Sequence, residues 1–102
     1  MSVNVLSYKH GKINVSTISS KFNLMEVYVD LRPYWPEGLS INAAYEELLV
    51  KNLKVDRRTL SAAKAGTLTK IEFITLVKLR DWIRQLTGKP EITIDDLLRI
   101  ED

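Results

Sequence analysis

In "LMEVYVDLR" apolar and polar residues alternate, with Met25, Val27, Val29 and Leu31 on one side and Glu26, Tyr28, Asp30 and Arg32 on the other. A period of two predicts a strand with one buried face. Upstream, in "NVLSYKHGKINVST", two β-branched runs flank "KHGK". Gly11 in that segment accepts a positive φ at little cost, so a hairpin or a sharply turned strand pair is expected. In "RPYWPEG" two prolines bracket an aromatic pair, which neither a central strand nor a helix continues through. A boundary therefore falls at about residues 32–38, and residues 1–32 are expected to be mainly strand.

Beyond that boundary the period changes to that of a helix. Ser40 is a suitable N-cap, and Ile41, Ala44, Tyr45, Leu48 and Leu49 form one apolar stripe, predicting a helix over 41–52. Asp56 is placed to cap a second, short helix over 56–65, with Leu60 and Ala63 inward and Gly66 suited to the left-handed residue that ends it. Thr67 or Thr69 then opens the longest helix, to about Leu86. Its stripe of Phe73, Leu76, Val77, Leu79, Ile83 and Leu86 is widened by Ile71, Ile74 and Trp82, a face broad enough for the centre of a core. Gly88 and Pro90 stop it, and "TIDDLLRI", acidic in its first turn, predicts a last short helix from about Ile94. The expected fold is α+β: short N-terminal strands, then a unit of four helices. Residues 1–38 form the strand-rich segment and 39–102 the helical one, within one compact domain.

Composition narrows the chemistry. The 102 residues contain no cysteine, which removes disulfides, thiolate metal sites and cysteine nucleophiles. No apolar run reaches bilayer-spanning length, and the start "MSVNVLSYKHGK" lacks the basic-then-apolar order of a secretion signal, so a cytoplasmic location is expected. The net charge of +2 conceals a division along the chain. From Lys51 to Lys89 ten basic residues face three acidic ones, a net of +7, whereas the last twelve residues carry −4. A basic centre suits a polyanionic partner.

Two short helices joined by a tight turn, followed by a longer packing helix, are the order of a helix-turn-helix unit. Over Ile41 to Ile100 the chain resembles the Xre/Cro-repressor family of DNA-binding domains: "ELLVKNLKVDRRTLSAAKAG" is similar to its second helix, turn and recognition helix, and "TKIEFITLVKLRDWIRQL" with "ITIDDLL" to its fourth and fifth helices. The family's first helix has no clear counterpart, because "MEVYVDLRPYWPEG" reads as strand and loop. Lys54 stands in the turn where many members have glycine, and Ala62 and Ala65 stand where longer polar side chains are common. The resemblance implies double-stranded DNA as partner, a homodimer, and a helix-turn-helix transcriptional regulator with its recognition helix at about 56–65. It turns Arg57, Arg58, Ser61 and Lys64 outward at the major groove with Thr59 beside them. Lys70, in the same basic segment, is the candidate for a contact to phosphate alone.

Other candidate sites are weaker. His10, the single histidine, stands beside glycine in an expected turn with no partner carboxylate nearby. Asp95 and Asp96 are adjacent and diverge by about 100° on a helix, so they cannot form a facing acid–base pair. "TGKP" lacks the second glycine of a phosphate loop. Neither an enzyme nor a cofactor or metal protein is expected. A second reading, a protein-interaction adaptor on a helix-turn-helix-like fold, would use Tyr34, Trp35 and the strand edges as its contact surface.

Overall fold

The computed structural model describes residues 12–14 and 26–101. The elements run β1 (Lys12–Asn14), β2 (Glu26–Val29), α1 (Ile41–Val50), α2 (Arg57–Ala65), β3 (Lys70–Glu72), α3 (Phe73–Thr87), a single 3₁₀ turn (Asp95–Leu97) and β4 (Leu98–Glu101). β1 pairs antiparallel with β3, and β2 antiparallel with β4. An isolated bridge between Val29 and Leu68 links β2 to the segment entering β3.

This corrects the expected four-helix unit: the described residues hold three α-helices. The segment expected as the last helix makes one 3₁₀ turn and becomes β4, with Leu98 opposite Val29 and Ile100 opposite Val27. A helix of so few residues is weak by itself, whereas β4 supplies a ladder to β2. The longest helix also starts later than expected. Lys70–Glu72 is committed to β1 as a strand, so α3 begins at Phe73, and Thr67 closes α2 by donating its backbone N–H and its hydroxyl to the carbonyl of Ala62. The remainder of the expected N-terminal hairpin, with Gly11 and His10, lies outside the described residues.

Local chemistry sets the helix ends. The Ser40 hydroxyl accepts from the N–H of Ala43 and opens α1. At its other end Asn52 takes φ 62°, its N–H donates to Leu49 O, and the N–H of Leu53 donates to Leu48 O, a closed C-terminal motif. The turn thus takes its left-handed residue from Asn52, two positions before Lys54. The Asp56 carboxylate accepts from the N–H groups of Arg58 and Thr59 and from the Thr59 hydroxyl, capping α2, which ends at Gly66 with φ 76°.

Val27, Val29 and Leu31 from the alternating segment, Ala44 and Leu48 from α1, Leu60 and Ala63 from α2, and Leu76, Leu79, Trp82 and Ile83 from α3 make one buried core. The Trp82 ring meets Trp35 edge-on at 5.4 Å between centroids, and its Nε1–H has no hydrogen-bond acceptor in the described structure. α3 therefore provides the floor on which α1 and α2 rest.

The polar side of β2 departs from the alternation. Asp30 is 6% exposed, although the pattern puts it outward. Its carboxylate accepts from the backbone N–H of Arg32 at 3.0 Å, from Arg32 Nε and Nη2 at 2.9 and 2.7 Å, and from Arg99 Nε at 2.9 Å. Arg99 also donates to the Gly66 carbonyl at 2.7 Å, pairs with Glu101 and lies over the Tyr28 ring. Next to this node Leu31 N–H reaches Ala63 O at 2.9 Å, so β2, β4 and the C-terminal end of α2 are joined at one place. A Cβ on Gly66 would stand 2.8 Å from the Asp30 carboxyl carbon, in a left-handed conformation that side chains already disfavour.

The node also sets the acid response. The Arg32 hydrogen bond holds the Asp30 carboxyl below its usual range against the opposing effect of burial, and the Thr59 hydroxyl and N–H do the same for Asp56. Both groups have folded values below the unfolded ones. Their contribution is therefore complete above the unfolded carboxylate range and lost as pH falls through the lower folded values. Thermal melts should be level from neutral pH down to about pH 5 and drop progressively below about pH 4. In an Asp30→Asn variant the acid slope should be shallower; an unchanged slope would remove Asp30 from the explanation.

Candidate nucleic-acid interface

α2 owes its orientation to its two ends: the Asp56 cap at the first and the Asp30–Arg99–Gly66 node at the last. Leu60 and Ala63 face the core, so Arg58, Ser61 and Ala65 occupy the opposite, exposed side, with Ala62 at its margin. Arg58 gives its backbone N–H to the Asp56 cap; its guanidinium makes no hydrogen bond or ion pair among the described residues and acts on Asp56 through its charge. Ser61 and the alanines beside it keep this side thin, so a flat surface can approach the helix closely.

The six residues that the sequence singles out do not share one environment. Arg57 lies on the flank toward α1, with its guanidinium carbon 4.0 Å from the centroid of the Tyr45 ring and its Nε donating to Asn42 Oδ1 at 3.1 Å. Lys64, on the same flank, holds its ammonium 5.2 Å from the centre of the Trp35 ring. Such contacts contribute about 0.5–1 kcal/mol each at exposed sites, enough to bias a side chain without excluding another partner. Thr59 turns to Asp56 on the other flank. Arg58 and Ser61 face away from the core, and Lys70 is exposed on β3.

Comparison with family models, curated proteins and solved structures finds no match to this chain.

The +7 segment divides in the same way. Arg80 and Arg84 pair with Asp81, and Arg84 donates to Ile92 O at 2.7 Å, so these two cations brace α3. Lys51, Lys54, Lys70 and Lys89 make no side-chain hydrogen bond or ion pair among the described residues, and Arg58 acts on Asp56 through its charge alone. Three lysines, Lys54, Lys70 and Lys78, line a groove of about 270 Å³ beside α2, together with Val55, Asp56, Thr59, Ile71, Glu72 and Thr75. Sequence reading does not find Lys54 or Lys78 as members of one site. They are 24 residues apart and meet because Lys78 Nζ donates to Lys54 O at 3.2 Å.

Tyr34 and Trp35, the contact pair of the adaptor reading, are turned inward. The Tyr34 hydroxyl donates to Asp96 O at 3.0 Å, and Trp35 Nε1 donates to Leu39 O at 2.8 Å while its ring packs on Trp82. Burial first, and then the nearby Asp96 charge, raise the Tyr34 phenol above its ordinary value. No group of three or more metal-ligating side chains occurs among the described residues, and none of their helices is long and apolar enough to cross a membrane.

Proposed function

We propose that the chain is a small DNA-binding regulator of the helix-turn-helix kind, with α1, its turn and α2 as the binding unit and α2 laid toward the major groove. The observation that carries this reading is the exposed side of α2: an arginine whose guanidinium makes no hydrogen bond or ion pair among the described residues, a serine, and small residues around them. A guanidinium in that position donates two hydrogen bonds to guanine, and the lysines of the neighbouring groove neutralise phosphate. Arg58 is the base-reading residue; Arg57 and Lys64 support it from rings on which they can slide. With alanine at 62 and 65, few other groups reach base edges, so much of the selectivity rests on duplex shape. A cytoplasmic location goes with this reading.

A mobility shift with mixed duplex fragments at two salt concentrations tests it. Binding should be clear at low salt and weaken steeply at high salt, since each neutralised phosphate releases counterions. A chain that binds no duplex at low salt would end the proposal and leave the adaptor reading in its place.

The regulator acts as a homodimer in this proposal. Among the described residues no strand pairs with the outer edge of β4, where Ile100 is 48% exposed, and such edges are covered or paired in stable proteins. Light scattering well above micromolar concentration should return twice the chain mass; the mass of one chain would contradict this.

A further inference from the structure

We infer that the groove between the start of α2 and the start of α3 is a seat for a phosphate group. Five charged residues line it: Lys54, Lys70 and Lys78 with Asp56 and Glu72. In other parts of the described structure some neighbouring charges close into pairs, as Arg32 and Arg99 do on Asp30 and Arg80 does on Asp81. Here none does. Asp56 is occupied by two N–H groups and the Thr59 hydroxyl, and Glu72 accepts from the Thr75 hydroxyl at 3.4 Å. Both carboxylates are thus bonded to their own helix starts. The ammonium groups of Lys54 and Lys70 have no partner, and that of Lys78 has one, a neutral carbonyl.

The lining carries three lysines against two carboxylates, a net of +1, and no ion pair closes between them. An anion with several oxygens can accept from more than one of the lysines. At about 270 Å³ the opening holds such a group with its water. The walls carry Val55 and Ile71, both 2% exposed, and hold the lysine-bearing segments in fixed positions. Phosphate matches this set better than a carboxylate ligand, because its larger number of oxygens can accept from more than one lysine and from water in the same opening. The phosphate has two possible sources: the backbone of the duplex proposed above, in which case this seat rests on that reading, or a free phosphate.

The test is a backbone amide NMR titration of the full chain with inorganic phosphate, and then with a mixed-sequence duplex added to the phosphate-loaded protein. Saturable shifts should be confined to Lys54, Val55, Thr59, Ile71 and Thr75. Replacing Lys54 and Lys70 by glutamine should weaken the titration by about tenfold or more, while Lys89→Gln leaves it unchanged. Displacement of phosphate by the duplex assigns the seat to the nucleic-acid backbone; retention assigns it to a free phosphate. Either outcome supports the seat. Shifts that never saturate, that spread equally to Lys51 and Lys89, or that survive the double substitution would overturn it. Failure of the regulator reading shows separately, as a wild-type chain that ignores the duplex while still titrating with phosphate.

Discussion

Asp30→Ala should lower the stability of the chain by about 2–4 kcal/mol, seen as a fall in melting temperature of roughly 10–20 °C for a domain of this size. The carboxylate takes four hydrogen bonds from Arg32 and Arg99, and its removal strands the partners differently. The Arg32 side chain is 57% exposed and returns to water, which limits the loss. Arg99 is 29% exposed and remains pressed between the Gly66 carbonyl and Tyr28. Removing one partner of a buried pair costs about 3–5 kcal/mol, and the exposure of Arg32 brings the expectation below that range. Asp30→Asn keeps the shape and an acceptor but not the charge, so it should fall between wild type and alanine. A loss under about 1 kcal/mol for the alanine variant would place the node among ordinary surface ion pairs and release α2 from it.

Arg58→Ala should act on binding and leave folding alone. The side chain is exposed and reaches Asp56 only through its charge, with no hydrogen bond, and the Asp56 cap uses the backbone N–H at position 58, which alanine retains. The melting temperature should therefore stay within the small range typical of surface substitutions. If the guanidinium reads a base, its loss removes about 1–3 kcal/mol of discrimination, a decrease of roughly 5- to 150-fold for the preferred site and little for other duplexes. Lys70→Ala, by contrast, should weaken all duplexes alike and reduce the salt slope by about one. Arg57→Ala is a mixed case: it also loses the Tyr45 ring and the Asn42 amide that tie α2 to α1, so a slight loss of stability accompanies any loss of affinity.

The contrast between Arg57 and Arg58 illustrates what was legible in the sequence. Signals carried by neighbours along the chain were readable: the Asp56 cap, the Gly66 stop, the core stripe of Leu76, Leu79 and Ile83, the Gly88 end of α3 and the alternation of Val27 and Val29 all stand in the structure. Signals that depend on distant partners were not. Lys70–Glu72 reads as the first turn of a helix until β1, some sixty residues earlier, pairs with it. "TIDDLLRI" reads as a helix from about Ile94 until β2 accepts Leu98–Glu101 as a strand. Asp30 sits on the polar side of an alternating run and is buried because Arg99, 69 residues later, is laid over it. The two neighbouring arginines look alike in "VDRRTL", and their difference depends on Tyr45 and Asn42, residues of another helix. For the candidate interface, the basic segment and the side chains of α2 were apparent; the groove joining Lys54, Lys70 and Lys78 required the fold.

The most direct measurement is an equilibrium titration of one duplex library into wild type and Arg58→Ala at a series of salt concentrations. Wild-type affinity should fall linearly on a logarithmic scale as salt rises, with a slope corresponding to several phosphates, and selected fragments should bind more tightly than the rest. The variant should keep most of the slope and lose the preference. Equal preference in both proteins, or no wild-type binding at the lowest salt, would contradict a duplex-reading role for α2.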